Sequence, residues 1–314
     1  MKRIIIDASQ TSLLTFSETQ DPQPLPHQNL VKVTHFSLNR GEIAAAQNAE
    51  KGRSIGWDYV GTIFQSAADG NGPPTGTRVV GWRPEMDAFA EYVIGDPNYL
   101  APIPDSVSDA QAATLPVAGL TALAAIDKGT RLVGSAVLVN GITGGVGSFA
   151  LQLAKLSGAR VVAQVRKPEQ VDFAHTLGAD AVVVTTDGTG LNTEGPYRLV
   201  VDGVGGSLFG KLLENTAKGG ILVSYGASSG YDLQFSSYPA LFGNGGQRTI
   251  YGLTLYTEVE LQPSSMALAR LLRLVADQKL TVPNIIEADW SETPRYAQDL
   301  LDRKFGGKAV LAIV

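Results

Sequence analysis

Short apolar and alternating runs punctuate the first hundred positions of the chain. Positions 30–38, 59–64, 77–82 and 88–94 are short alternating or apolar runs containing β-branched and aromatic residues, and each predicts a strand. Proline- and glycine-rich clusters at 21–26 and 69–74 separate them as turns. One helical piece is predicted near 40–47, so the region reads as a β-rich domain. From 104 the period changes. Ser108 is placed to cap a helix over 108–115, Pro116 interrupts it, and an Ala/Leu-rich helix resumes at 117–126. Strands at 137–140, 160–165, 181–184, 199–202, 221–226 and 249–253 then alternate with helices at 148–156, 168–177 and 208–215. That alternation predicts a doubly wound parallel sheet. Helices at 264–278 and 293–303 and a last strand at 308–313 close the chain, and this tail is predicted to return to the first domain.

The turn after the first of these strands carries the chemistry. Val137-Leu138-Val139 is an apolar run suited to a strand buried on both faces, and Gly141, Gly144 and Gly147 follow it at intervals of three. Apolar residues then recur at Phe149, Leu153 and Leu156, with Gly158 placed to end the helix. Strand, glycine turn and helix together aim backbone N–H groups and a positive helix end at a phosphate. Thr143, Gly144, Gly145 and Val146 form the predicted cradle, with the N–H groups of Gly145 and Val146 directed at a pyrophosphate. At the end of the next strand stand Arg166 and Lys167. An NAD site usually carries a carboxylate there, which would repel a 2′-phosphate, whereas two cations attract one. The expected cofactor is NADP(H).

Length and composition narrow the setting. A chain of 314 residues suits two domains, each with its own core. A net charge of −5 and no basic cluster argue against nucleic acid as a partner. The chain has no cysteine, which removes disulfides, thiolate nucleophiles and Cys-ligated metal sites. Asp7 breaks the N-terminal apolar run, and no segment approaches the roughly 20 apolar residues of a membrane span. The expectation is a soluble, cytoplasmic protein without a membrane partner.

Several motifs in order resemble one family over nearly the whole chain. They are 36–42 (Phe-Ser-Leu-Asn-Arg-Gly-Glu), 56–61 (Gly-Trp-Asp-Tyr-Val-Gly), 115–122 (Leu-Pro-Val-Ala-Gly-Leu-Thr-Ala), 140–147, the 201–206 turn and the ending Gly306-Gly307-Lys308-Ala309-Val310. This set resembles the medium-chain dehydrogenase/reductase superfamily, in its zinc-independent quinone oxidoreductase (zeta-crystallin-like) branch. The resemblance implies an α/β protein with a GroES-like β-rich catalytic domain over 1–116 and 256–314. A Rossmann NADP-binding domain is implied over 117–255, with the substrate in the cleft between the two. Zinc members of the superfamily bind metal at positions that here hold Asn39, Trp57 and about Val117, none of them a zinc ligand. His27, His35 and His175 show no ligand spacing either, so no zinc is expected.

Without a Lewis acid the acceptor must spread the developing charge itself, as quinones and conjugated carbonyls do. The activity implied is hydride transfer from NADPH to a quinone. An enone, 2-alkenal or enoyl-thioester substrate is one alternative, and a non-catalytic NADPH-binding structural or regulatory protein is another. By resemblance Asn39 lies near the nicotinamide ribose and the substrate, its amide donating to a developing oxyanion. Tyr59 supplies a hydrogen bond or proton, or is simply a core or cleft-lining aromatic. Trp57 walls the substrate pocket, Asp58 orients its loop, and Arg40 pairs with Glu42 or Asp58. Thr121 contacts the nicotinamide end. Val204, Tyr225 and Gly226 sit at carboxyl ends of strands, where an open α/β sheet binds its ligand. The backbone of Tyr251, Gly252 and Leu253 meets the carboxamide, and Lys308 is a basic residue near the cofactor. The Ser/Gly-rich stretch 228–246 is expected as an edge of the cleft, with Phe235, Tyr238 and Phe242 lining a pocket or meeting a second copy. A homodimer is implied, paired through the strand near 249–255.

Overall fold

Apolar periodicity becomes fifteen strands and nine α-helices among the described residues of a computed structural model, which covers all positions except 8, 10–12, 283 and 314. The chain opens with β1 (Lys2–Ile6), β2 (Leu14–Glu18), β3 (Asn29–Ser37), α1 (Arg40–Ala46), β4 (Asp58–Gln65), β5 (Arg78–Trp82), β6 (Tyr92–Gly95) and β7 (Leu100–Pro102). It continues through α2 (Asp109–Ala113), a π-helical turn (Leu115–Gly119) and α3 (Leu120–Asp127). Next come β8 (Ala136–Val139), α4 (Gly145–Leu156), β9 (Arg160–Val165), α5 (Val171–Thr176), β10 (Ala181–Val184), β11 (Tyr197–Asp202), α6 (Leu208–Glu214), β12 (Thr216–Ser224) and β13 (Thr249–Gly252). The end of the chain forms α7 (Leu255–Leu261), α8 (Ser264–Ala276), β14 (Ile285–Asp289), α9 (Thr293–Leu301) and β15 (Lys308–Ala312).

The chain divides into two units. One comprises Met1–Leu120 with Val259–Val314, the other Thr121–Glu258. These divisions fall three or four residues beyond the expected ones at 116/117 and 255/256.

In the β unit one sheet runs β14-β15-β3-β4-β5-β7, with β6 also paired to β3, while β1 and β2 form a separate hairpin. β15 lies antiparallel to β3, with Val310 opposite Ser37, so the end of the chain completes a sheet begun by its start. The core agrees with that pairing. Trp290, Ala297, Ala309 and Leu311 pack with Ile4, Phe36, Leu38, Ile55 and Phe89. The rings of Phe36 and Phe89 stack at 4.1 Å, and burying each contributes about 1.5–3 kcal/mol.

The nucleotide-type unit holds six strands in the order β10-β9-β8-β11-β12-β13, every neighbouring pair parallel. Sequential strands run outward from β8 and then reverse, so the order changes direction between β8 and β11. In open α/β sheets ligands bind outside the carboxyl ends of the strands at such a point.

Some elements differ from the periodic reading. The strand expected at 88–94 shortens to β6, with Ala90 making only a single bridge to Arg3. The helix expected from 168 begins as one 3₁₀ turn at Pro168–Gln170. Pro116 lies in the π turn, where its missing N–H and ring disturb the regular ladder. Ser108 caps α2 as expected, accepting from the Gln111 N–H at 3.1 Å. β2, β7, α7 and β14 had no counterpart in the pattern. The stretch 228–246 contains a π turn (Tyr238–Phe242) and a 3₁₀ turn (Gly243–Gly245).

Candidate functional site

The glycine turn lies between β8 and α4, at the carboxyl end of the sheet where the strand order reverses. Gly141 takes a positive φ of +62°, a conformation glycine adopts without a steric penalty. Gly147 is needed for another reason. A Cβ there would come within 2.4 Å of the Gly141 carbonyl oxygen and 2.8 Å of that of Asn140. The bare backbone is what lets α4 start so close to the strand. Gly144 occupies the N-cap of α4 and is exposed, and no side chain caps the helix. The N–H groups of Gly145 and Val146, in the first helical turn, therefore have no intrahelical acceptor and remain available to a phosphate. Thr143 is half-buried beside them.

A buried polar pair ties this turn to the next strand. Asn140 and Asp202 close β8 and β11 respectively, and both are fully buried. The Asn140 amide donates to Asp202 Oδ1 at 2.6 Å, and its oxygen accepts the Gly203 N–H at 2.9 Å. Asp202 also accepts the N–H groups of Val204 and Gly205. Burial pushes the Asp202 carboxyl up, opposed by these donors. No role was assigned to this pair from sequence, although its signal is visible: one polar residue ends each of two apolar strand runs.

Tyr225 follows β12 and is brought to the same turn. Its ring fills the space a Gly203 side chain would occupy, and its hydroxyl oxygen is 3.7 Å from the Cβ position of Gly141. That hydroxyl makes no hydrogen bond among the described residues, and burial raises the phenol above its ordinary value. Gly226 approaches the Gly203 carbonyl, with a Cβ position 3.3 Å away. Arg166 and Lys167 follow β9, beside β8, and are exposed. Their backbone N–H groups donate to Gln170 Oε1 at 3.0 and 3.2 Å, while neither side chain makes an ion pair among the described residues.

The third group of expected cofactor residues is more committed. Tyr251 donates to Glu258 at 2.5 Å, and Lys128 sits 2.9 Å from Glu258 and 4.5 Å from the Tyr251 ring centre. The Leu253 N–H donates to the Ser224 carbonyl, which takes that donor away from a carboxamide. Gly252 is exposed. Thr121, in the first turn of α3, is buried.

In the β unit a second cluster assembles Ser37, Asn39, Glu42, Asp58 and Lys308, all buried. Asn39 caps α1, and Glu42 Oε1 accepts its N–H at 2.7 Å and its amide Nδ2 at 3.2 Å. Glu42 Oε2 accepts the Trp57 N–H at 2.8 Å. Asp58 Oδ2 accepts from Ser37 Oγ at 2.6 Å and from Asn39 Nδ2 at 2.8 Å, and Asp58 Oδ1 accepts the Val117 N–H at 3.0 Å. Lys308 Nζ donates to the Leu38 carbonyl at 3.0 Å and to Asn39 Oδ1 at 2.5 Å, and lies 3.4 Å from Asp58.

Four expectations are corrected by this geometry. The Asn39 amide cannot donate to an oxyanion, because both its hydrogens are spent on Glu42 and Asp58. Lys308 is buried within the β unit, and its three N–H groups are spent on protein acceptors, so none is left for a cofactor. Tyr59 is a core residue: it is fully buried, its ring fills the space above Gly81, and its hydroxyl has no hydrogen-bond partner among the described residues. Burial moves that phenol further above its ordinary value, away from acid work at neutral pH. Among the described residues Arg40 forms no ion pair with Glu42 or Asp58. Its Nη1 caps the end of α9 through the carbonyls of Leu300 and Leu301, each at 2.9 Å. Trp57 is half-buried, with its ring 3.4 Å from the Cβ position of Gly41. Sequence reasoning gave Glu42 no role of its own, although Asn39-x-x-Glu42 has the spacing of a capping box.

Glu42 supplies a pH prediction. Burial, then the charge of Asp58, pushes its carboxyl from 4.5 up to about 8, against the Asn39 and Trp57 N–H groups and Lys308. Between those values the folded protein binds more protons than the unfolded chain. Glu42's contribution to stability is therefore complete below about 4.5 and is lost as pH rises through about 8. Burial lowers Lys308 from its ordinary value, so its own effect lies toward more alkaline pH and opposes this one. Melting temperatures measured from pH 5 to 8 should show a downward component that Glu42→Gln removes. Identical slopes in the two proteins would refute the assignment.

A β-rich GroES-like unit joined to a Rossmann unit with a glycine cradle defines the class of two-domain dinucleotide-binding reductases. Comparison with known proteins narrows the class. Residues 145–275 match a family model described as zinc-binding dehydrogenase. A quinone-oxidoreductase homolog of the chloroplast of Spinacia oleracea is 30% identical over 232 residues, covering 68% of this chain and 70% of its own length. The quinone oxidoreductase of Coxiella burnetii aligns with a TM-score of 0.84 at 26% identity, over 100% of this chain and 99% of that one. A mycobacterial protein solved in complex with NADPH aligns at 0.85 and 24% identity, over 99% and 100%. A phenolphthiocerol/phthiocerol polyketide synthase of Mycobacterium tuberculosis is 26% identical over 96% of this chain, which spans only 14% of that protein's length. The chain belongs to the medium-chain dehydrogenase/reductases, in the quinone oxidoreductase branch, a family of oxidoreductases. Among the described residues no helix is long and apolar enough to cross a membrane.

Proposed function

We propose that the protein is an NADPH-dependent reductase that passes hydride to quinones or related conjugated carbonyls without zinc. The observation that carries the cofactor reading is the open glycine cradle, with two exposed, unpaired cations following the neighbouring strand. Gly145 and Val146 would hold the pyrophosphate through their N–H groups, and Arg166 and Lys167 the 2′-phosphate. Tyr225 offers a free hydroxyl beside the turn, and Val204 and Gly226 border it. NADPH, when bound, supplies the hydride. A fold neighbour that holds NADPH supports the same reading.

The donor set supports a metal-free reaction, even though the matched family model is described by zinc. Positions 39, 57 and 117 offer an amide, an indole and an aliphatic side chain, and the Asn39 amide is spent within the protein. The chain's part would then be to bind and orient, with Asn39 and Trp57 bordering an acceptor whose conjugation spreads the developing charge.

The test is oxidation of NADPH and NADH in parallel, with 1,4-benzoquinone, 9,10-phenanthrenequinone and a 2-alkenal as acceptors, after EDTA treatment. Turnover that prefers NADPH and survives EDTA is expected, and Arg166→Ala with Lys167→Ala should erase the preference by raising KM for NADPH alone. Loss with EDTA sinks the metal-free reading, and an NADH preference sinks the phosphate site. The best acceptor separates quinone from enone chemistry.

The reading extends to a homodimer. β13 is the outer strand of its sheet with Ile250 46% exposed, and Arg248 beside it holds the carbonyls of Pro239 and Ala240 in the segment carrying exposed Tyr238 and Phe242. An open edge strand beside exposed aromatics suits pairing with a second copy. Light scattering should give twice the 33.1 kDa chain mass, and a monomer mass would refute it.

A further inference from the structure

The cluster in the β unit joins segments far apart in the chain, and Lys308 decides its polarity. Its ammonium has three donors and faces three acceptors: the Leu38 carbonyl, Asn39 Oδ1 and Asp58 Oδ2. With Asn39 Oδ1 turned toward the cation, Nδ2 must face the carboxylates, where it donates to Glu42 and Asp58. Those carboxylates in turn accept the backbone N–H groups of Asn39, Trp57 and Val117. Flipping the amide would set its NH₂ against the ammonium and its oxygen against two carboxylates. One cation thus orders the hydrogen bonds of three backbone segments.

We propose that Lys308 is a positioning residue for the reduction, acting through Asn39, Glu42 and Asp58 to fix the backbone at Asn39, Trp57 and Val117. This rests on the proposed reductase function, in which Asn39 and Trp57 border the acceptor. The role is carried by charge. Asp58 is fully buried, and without the ammonium its carboxylate has no cation inside the cluster. The strain of a buried charge left without its partner is relieved by moving the segments around it. A displacement of about 1 Å at a reacting centre costs on the order of 100-fold in rate.

The experiment compares the wild type, Lys308→Met, Asp58→Asn and the double variant. Methionine keeps the length of the side chain and removes its charge. Lys308→Met should lower kcat with the best acceptor on the order of 100-fold. NADPH affinity, read by fluorescence titration, should stay within about twofold of wild type, because the cradle belongs to the other unit. Its melting temperature should fall by roughly 10 °C. Asp58→Asn removes the other charge of the pair, so the losses in the double variant should be smaller than the sum of the two single losses. A purely space-filling lysine would give losses that add.

A Lys308→Met protein with kcat unchanged overturns the proposal, and so do single losses that simply add in the double variant. If Lys308→Met fails to fold, folding of the double variant carries the same conclusion, and failure of both overturns it. A wild type that turns over no acceptor sinks the reductase reading itself. That outcome is distinct from an active wild type matched by Lys308→Met, which sinks only the role of Lys308.

Discussion

Gly147→Ala should abolish productive NADPH binding while leaving the β unit intact. The added Cβ would lie 2.4 Å from the Gly141 oxygen, 2.6 Å from the Gly141 carbonyl carbon and 2.8 Å from the Asn140 oxygen. All three are backbone atoms, so no flexible side chain can swing aside. The backbone they belong to is itself held: Gly144 N–H donates to the Gly141 carbonyl at 3.0 Å, and Asn140 N–H to the Val201 carbonyl at 3.2 Å. The start of α4 must therefore lift from the strand, carrying the N–H groups of Gly145 and Val146 away from the phosphate position. Overpacking of this kind costs about 1–3 kcal/mol in stability, or several degrees in melting temperature for a unit of this size. The larger effect is on the ligand, since binding depends on those N–H groups converging. A rise in the NADPH dissociation constant of about 100-fold, near 2.7 kcal/mol, is expected. Fluorescence titration measures it, and a constant within threefold of wild type would show that the cradle is not the cofactor site.

Asp58→Asn should be the most damaging single change to the β unit. Asp58 is fully buried and meets four donors: the Val117 N–H, the Ser37 hydroxyl, the Asn39 amide and the Lys308 ammonium. An asparagine has one acceptor oxygen, so its NH₂ must confront either the Val117 N–H or the three donors on the other side. In the second arrangement a buried ammonium also loses its counter-charge. Removing one partner of a buried ion pair costs about 3–5 kcal/mol, which corresponds to roughly 10 °C in the midpoint of a chain this long. Calorimetry should show the β unit melting first, with NADPH affinity of the other unit retained. A midpoint within about 2 °C of wild type would mean that the hydrogen bonds to Asp58 do not hold the segments together.

The two candidate sites differ in how far they could be read from the chain. The cradle is local: strand, glycines and helix lie within the twenty residues from Val137 to Leu156. Steric demands at Gly141 and Gly147 are imposed by near neighbours in sequence, so the spacing alone announces them. Arg166 and Lys167 were equally legible, because a strand end is set by the pattern around it. Asn140 and Asp202 were half-legible. Each marks the end of an apolar run, but only the parallel pairing of β8 with β11 brings amide and carboxylate within 2.6 Å.

The β-unit cluster defeated sequence reasoning for a different reason. The capping-box spacing of Asn39 and Glu42 was present in the chain, yet nothing local says that the same amide also serves Asp58 and Lys308. Lys308 stands 269 residues beyond Asn39, and a lysine after two glycines looks like a surface charge until β15 is laid against β3. Tyr59 makes the same point with an apolar ring. Alternation along β4 says that successive side chains face opposite ways, but only the packed sheet, with Gly81 bare beneath the ring, says that this face is sealed.

By itself, then, the sequence determined the α/β class, the chain order of most of its elements, the glycine cradle and the cations after the neighbouring strand, since these follow from steric and periodic rules acting over a few residues. Tertiary structure alone decided which polar groups are already spent on one another. A hydrogen bond or ion pair needs its partner within about 3 Å, and for Asn39, Asp58 and Lys308 that partner is delivered by strands pairing across most of the chain.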